Sequence, residues 1–169
     1  MSGKTCAFTG HRAAKLPWRF NENDSRCLAL KARLYDVLET LCESGVEHCI
    51  CGMANGCDLY FAEAVLLLQQ RFPALTLEAA VPYAGQSERW FAGEKRRYEH
   101  ILSRCSHVEV ISEVYTRSCM MKRNRYMVDR CDLLLGCYDG QEGGTLSTLR
   151  YAMKQGKEVI VIPVCPEED

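Results

Sequence analysis

A three-layer α/β/α sandwich around a mostly parallel sheet is predicted by three features of this 169-residue chain. Strand-like apolar runs alternate with segments of helical period from one end to the other. Several of those runs, Leu133 to Tyr138 above all, are almost continuously apolar, as strands covered on both faces must be. Three glycine-bearing loops then leave strand ends, at Gly10, at Gly52 to Gly56 and at Gly143–Gly144. No linker, repeat or low-complexity stretch divides the chain, so residues 1–169 are read as a single domain.

Thr5 to Thr9 reads as the first strand, ending at Gly10. Residues 24–43 carry Leu34, Val37, Leu38 and Leu41 on one helical face, and Gly45 stops the helix. Cys49 to Cys51 is the next strand, followed by the loop GMANGCD. Asp58 is the expected N-cap of a helix over 58–70, which Pro73 closes. Residues 75–81 form a third strand, 87–103 a charged helix with Trp90 and Tyr98, and 107–111 a fourth strand. A helix over 120–130 places Met120, Asn124, Met127 and Val128 on one face. After the strand at 133–138 comes the loop DGQEGG. Thr145 is then expected to cap a helix whose Leu146, Leu149, Ala152 and Met153 recur at helical spacing and which Gly156 ends. Residues 159–164 are the last strand, and CPEED is a polar tail.

Composition removes several functional classes. A formal charge of −1 argues against broad nucleic-acid binding, while leaving room for a local basic patch. No stretch approaches the roughly 20 apolar residues of a membrane span. MSGKT leads directly into a strand-like run without the pattern of a signal peptide, so a cytoplasmic chain is expected. The eleven cysteines fall largely inside apolar runs and are read as reduced, buried small hydrophobes. Cys49 and Cys51 lack a second pair at zinc spacing, so no metal is expected. The GKT at Gly3 to Thr5 precedes its strand and lacks the earlier glycine of a P-loop, and no GxGxxG, GxSxG or HExxH is present.

What remains is the set of strand-end loops. In an open parallel sheet, ligands sit beyond the carboxyl ends of the strands where strand order reverses. A helix N-terminus there offers free N–H groups and the positive end of a dipole, which suits an anion. Gly10, Gly52, Gly56, Gly143, Gly144 and Thr145 would form a phosphate-facing rim, and Arg12 could grip a phosphate bidentately. His11 either bonds a phosphate or ribose or packs within its loop. Asp58 has a second role open to it, towards a ribose hydroxyl. Tyr83 and Trp90 either stack on a base whose edge Gln86 reads, or belong to the core. Each loop taken alone also fits an ordinary strand-to-helix turn.

A set of motifs runs through these loops: TGHR at Thr9 to Arg12 with KLPW at Lys15 to Trp18, and GMANGCD at Gly52 to Asp58 with Ala62–Glu63. Pro82, Gln86 and Trp90 continue it, followed by RNRYMVD at Arg123 to Asp129 and YDGQEGGT at Tyr138 to Thr145. Together they resemble the SLOG superfamily, the Rossmann-like group that includes the SMF/DprA proteins and the LOG nucleotide hydrolases, and within it the YpsA-like family. The resemblance implies a Rossmann-like fold and a site for a nucleotide-derived ligand, ADP-ribose- or NAD-like, without settling an activity; with the loop chemistry, the chain is read as a sensor or regulatory protein that needs no cofactor. It places Gly10, His11, Arg12, Gly52, Met53, Ala54, Gly56, Asp58, Gln86, Arg123, Asp139, Gly143, Gly144 and Thr145 at the ligand. It leaves a homodimer open and identifies no protein partner.

Two other branches give alternatives. LOG-type phosphoribohydrolases carry MxxRKxxM and PGGxGTxxE. Met120, Arg123 and Met127 match the first, with Asn124 at the lysine, and Gly144–Thr145 match the second, with Thr148 at the glutamate. A threonine cannot supply the carboxylate that N-glycosidic cleavage needs, so Arg123, Glu142 and Glu63 are the catalytic candidates under that reading. GMANGCD also resembles the GxAxGxD loop of the DprA branch, which binds single-stranded DNA. The charge balance and the lack of a basic stripe with interleaved aromatics argue against nucleic acid here.

Overall fold

A computed structural model describes residues 3–166. Residues 167–169, most of the expected polar tail, lie outside the described residues, as do residues 1–2. The strands are β1 (Lys4–Gly10), β2 (Val46–Cys51), β3 (Thr76–Tyr83), β4 (His107–Ser112), β5 (Leu133–Tyr138) and β6 (Glu158–Pro163). The helices are α1 (Ser25–Glu43), α2 (Cys57–Leu68), α3 (Ala92–Arg104), α4 (Cys119–Asp129) and α5 (Gly144–Lys154), with a 3-10 turn at Ala13–Lys15. The six strands form one sheet in the order β4-β3-β2-β1-β5-β6. All five pairings are parallel, so the sheet is wholly rather than mostly parallel.

Helices α1, α2 and α3 pack on one face and α4 and α5 on the other, completing the three-layer sandwich. The larger core lies under the first group, where Phe8 stacks on Phe61 at 4.5 Å. Helix α2 is buried on nearly every side between α1 and α3, which is why its sequence, CDLYFAEAVLLL, shows little amphipathic period. Helix α1 follows the expected face: Asp24 accepts the Arg26 N–H as N-cap, and Gly45, at φ 112°, ends it.

Nine of the eleven cysteines are buried, and all are free thiols. Burial, the main cause in each case, pushes the thiols of Cys42, Cys105 and Cys131 up to about 11, which keeps them protonated and poorly nucleophilic. Among the described residues, no helix is long and apolar enough to cross a membrane.

Three local expectations are corrected. Gly56, not Asp58, caps α2, and Asp58 turns inward to accept the Ala54 N–H at 3.1 Å. Gly143, not Thr145, caps α5; its φ of 145° and ψ of −161° swing the chain so that the helix opens two residues earlier, and Thr145 is buried in the first turn. The helix expected over 87–103 begins only at Ala92. Residues 84–90 form successive turns instead, with Gln86 N–H on Tyr83 O at 3.2 Å and Trp90 N–H on Ser87 O at 3.1 Å. Those turns carry the Gln86 side chain back to the Gly52 and Met53 carbonyls at 3.3 and 3.1 Å, a tertiary contact that overrides local propensity.

Candidate functional site

Strands β1 and β5 are neighbours in the sheet, yet the chain runs from β1 outward to β2 on one side and from β5 to β6 on the other. Their carboxyl ends, with Gly10 opposite Cys137, are therefore the place where strand order reverses. A hydrogen bond ties the two loops across this point: His11 Nε2 lies 2.7 Å from Asp139 Oδ1. Gln141 donates its N–H and its side-chain amide to the same carboxylate, at 3.1 and 2.6 Å. Partial burial would raise the Asp139 carboxyl, but Gln141 and then His11 outweigh it and hold the group below its ordinary range. Asp139 thus organises the loop pair, and the buried His11 is the link.

Two adjoining cavities open along this edge of the sheet, the inner one over the junction. The inner one, about 360 Å³, is floored by the end of β1 and walled by the 3-10 turn, α4 and the start of α5. Of the expected ligand residues it gathers Gly10, His11, Arg12, Ala54, Asp58, Arg123, Gly144 and Thr145. The outer one, about 510 Å³, is lined by Gln86, Tyr83, Trp90 and Tyr115 and shares Arg12, Ala54 and Met120 with the inner. A ridge separates them where Arg12 Nη2 meets the Met120 sulfur at 3.4 Å.

The inner cavity is cationic and largely uncompensated. Arg12 and Lys15 form no ion pair among the described residues; Lys15 Nζ reaches only the Glu142 carbonyl, at 3.3 Å. Helix α5 opens here with no side-chain cap, so its first N–H groups, beside Gly144 and Thr145, have no side-chain acceptor among the described residues. Arg123 is 5% exposed and acts as a clamp. Its Nη1 donates to the carbonyls of Gly52 and Ala80 and its Nε to Asn124 Oδ1 at 2.9 Å, leaving Nη2 only the Met120 sulfur at 3.9 Å. Asp58 is the carboxylate facing it in the cavity. Burial pushes the Asp58 carboxyl above its ordinary value, and Arg123 opposes that rise.

The remaining expected residues support the site from outside the cavities. The carbonyls of Gly52 and Met53 are occupied by Arg123 and Gln86, and the Met53 side chain is fully buried, in a strained left-handed backbone with φ 60°. A Cβ on Gly52 would lie 2.6 Å from Arg123 Nη1. Gly56 has φ 85°, and a Cβ there would sit 2.5 Å from the Ala13 nitrogen. Gly56→Ala is accordingly expected to cost at least about 2 kcal/mol in chemical denaturation, because both the backbone angle and the turn beneath it must shift. At Gly143, with φ 145°, a side chain would collide with Lys15 Nζ.

The candidate catalytic carboxylates are not brought into the cavities. Glu63 lies on the outer face of α2, paired with Arg97. Glu142 contributes its carbonyl to Lys15, and its side chain is not among the cavity walls. Thr148, at the position of the hydrolase glutamate, is buried with its hydroxyl on the Gly144 carbonyl at 2.8 Å.

The sequence from residue 6 to residue 162 matches the family model described as the YspA SLOG family. The chain belongs to that family. This SLOG protein is 30% identical over 163 residues to a UPF0398 protein of Bacillus pumilus, covering 95% of this chain and 86% of that one. It is 29% identical over 158 residues to a UPF0398 protein of Bacillus cereus strain B4264, covering 92% and 85%. Among solved structures it resembles DNA processing protein A from Streptococcus pneumoniae, with a TM-score of 0.65 and 19% identity over 98% of this chain. The SLOG chain spans about half of that structure, 51%. A second likeness is to DNA processing protein A from Helicobacter pylori, with a TM-score of 0.62, 16% identity, and coverage of 99% and 67%. At these identities the likeness establishes the fold.

Lys15, Asn55, Arg89 and Tyr115 also line the cavities but were not selected from the sequence. Lys15 lay within the KLPW motif, where it could have been found. Tyr115 carried no signal, since it reaches the site only because the loop after β4 folds over β3, with its ring 5.5 Å from that of Tyr83.

Proposed function

We propose that the cleft binds a nucleotide-derived ligand by its phosphate and that the protein acts as a cytoplasmic sensor or regulator. The observation carrying this reading is the pair of cations, Arg12 and Lys15, that form no ion pair among the described residues, set against the N-terminus of α5, which has no side-chain cap, at the strand-order reversal. A phosphate there would accept from the helix N–H groups and from the Arg12 guanidinium, while the outer cavity offers Tyr83, Trp90 and Tyr115 to a base. The family membership and the single-stranded DNA binding named for the Helicobacter pylori structure support a nucleotide-type ligand.

Titration of the purified protein with AMP, ADP, ADP-ribose, NAD and cytokinin-type nucleoside monophosphates, with product analysis, tests the reading. Saturable binding with every ligand recovered intact is expected. Arg12→Ala should weaken it at least about tenfold, or roughly 1.4 kcal/mol. Loss of neither affinity nor selectivity in Arg12→Ala and Lys15→Ala would overturn the phosphate assignment. Release of free base and ribose phosphate would make the protein an N-glycosidic hydrolase instead. Asp58→Asn and Glu142→Gln would then identify which carboxylate acts.

A further inference from the structure

Beyond the outer cavity lies a third, smaller groove of about 170 Å³ between Phe20, Trp90 and Phe91. Phe20 and Phe91 meet edge to face at 5.6 Å and are 44% and 71% exposed, an unusual expenditure of aromatic surface on solvent. The three cavities follow one another in a fixed order. Inner and outer share Arg12, Ala54 and Met120; outer and groove share Asn55, Arg89 and Trp90; inner and groove share no residue. Arg89 is exposed at the second junction and forms no ion pair among the described residues. The acidic groups nearby are Glu88, in the outer cavity, and Glu94, which is 3.1 Å from Arg97.

We infer that the groove is a second base-binding subsite, and that the ligand is a terminally phosphorylated dinucleotide unit. This inference rests on the phosphate reading of the inner cavity and deepens it. The terminal phosphate sits on Arg12, Lys15 and the start of α5, the first base lies against Tyr83, Trp90 and Tyr115, and the second stacks on Phe91 and Phe20. Arg89, between the last two, meets the linking phosphate. The order phosphate, base, base fits such a unit, whether free or at the end of a single strand. A ligand with its diphosphate between two rings places only one ring along this path. Stacking platforms of this kind tolerate any base, because every base presents a π face.

Calorimetric titration with AMP, NAD, unphosphorylated diadenylate, and diadenylates phosphorylated at the 5′ or the 3′ end tests the inference. One phosphorylated diadenylate should bind at least about fivefold tighter than AMP, and the unphosphorylated one more weakly than AMP. Phe91→Ala and Phe20→Ala, at exposed positions, should return the dinucleotide to the affinity of AMP while leaving AMP itself unchanged. A phosphorylated ten-nucleotide strand that binds as tightly as the dinucleotide identifies a strand end; binding of the dinucleotide alone identifies a free dinucleotide. AMP binding without any dinucleotide gain, or a gain that survives both phenylalanine variants, overturns the second subsite alone. Absence of binding by AMP and by both phosphorylated diadenylates overturns the phosphate reading with it.

Discussion

Arg123→Ala is expected to lower stability by about 3 kcal/mol, the largest effect of any single side chain at the site. The guanidinium is buried, and it holds together the end of β2, through the Gly52 carbonyl, and the middle of β3, through the Ala80 carbonyl. Its removal leaves a cavity and weakens the satisfaction of those acceptors. It also takes from the buried Asp58 carboxyl the cation that most opposes its upward shift. The sign with pH follows. A carboxyl raised in the folded state contributes stability below its ordinary value of about 3.9, and that contribution is lost as pH rises through the folded value. Without Arg123 the Asp58 carboxyl rises further, so the deficit should be larger at neutral pH than near pH 4. Urea denaturation at both pH values measures this, and a pH-independent deficit would show that Asp58 and Arg123 are not coupled. Arg123→Lys keeps the charge but not the forked donor set, and should fall between the two.

Gly144→Leu is expected to abolish most ligand binding, at least about tenfold in affinity, while leaving the fold intact or slightly more stable. Gly144 is the first residue of α5 and needs no positive φ, and a Cβ built there meets nothing within 4 Å. The space it would enter is the inner cavity that Gly144 lines. A leucine therefore fills the ligand's place without straining the backbone, and it replaces the residue most costly to a helix after proline. Thermal unfolding and ligand titration should thus move in opposite directions. Unchanged affinity together with an unchanged melting temperature would mean that the ligand does not approach the start of α5. Gly143 behaves differently: at φ 145°, and with Lys15 Nζ where a side chain would go, its substitution should harm fold and site together.

The neighbouring glycines show how far the loop motifs could be read. Both were expected to face a phosphate, as a pair of glycines that can adopt backbone angles closed to other residues and that leave no side chain in the way. The structure divides those tasks, giving the angles to Gly143 and the open space to Gly144. In GMANGCD only Ala54, Asn55 and Asp58 line the cavities, because Arg123 and Gln86 arrive from other elements and occupy the carbonyls of Gly52 and Met53. Arg123 was legible as a charge near the site but not as a buried clamp. The apolar period of its helix pointed to Asn124 instead, and a guanidinium can share a buried face only when distant carbonyls receive it. The basic and aromatic surface that was missing as a stripe in the sequence is assembled in space from Arg12, Phe20, Arg89, Phe91 and Tyr115.

The sequence by itself determined the alternation of strands and helices, the burial of the central strands on both faces and the three glycine loops at the carboxyl edge of the sheet. Those features depend on apolar period and on backbone angles open to glycine, which are local properties of the chain. Tertiary structure alone decided the strand order that makes β1 and β5 neighbours. It also set the His11–Asp139 bond across their ends, the cations left without partners and the succession of three cavities. Each of these depends on which distant residues meet, and a pairing between positions more than 100 residues apart, such as His11 and Asp139, leaves no trace in the local pattern of either segment.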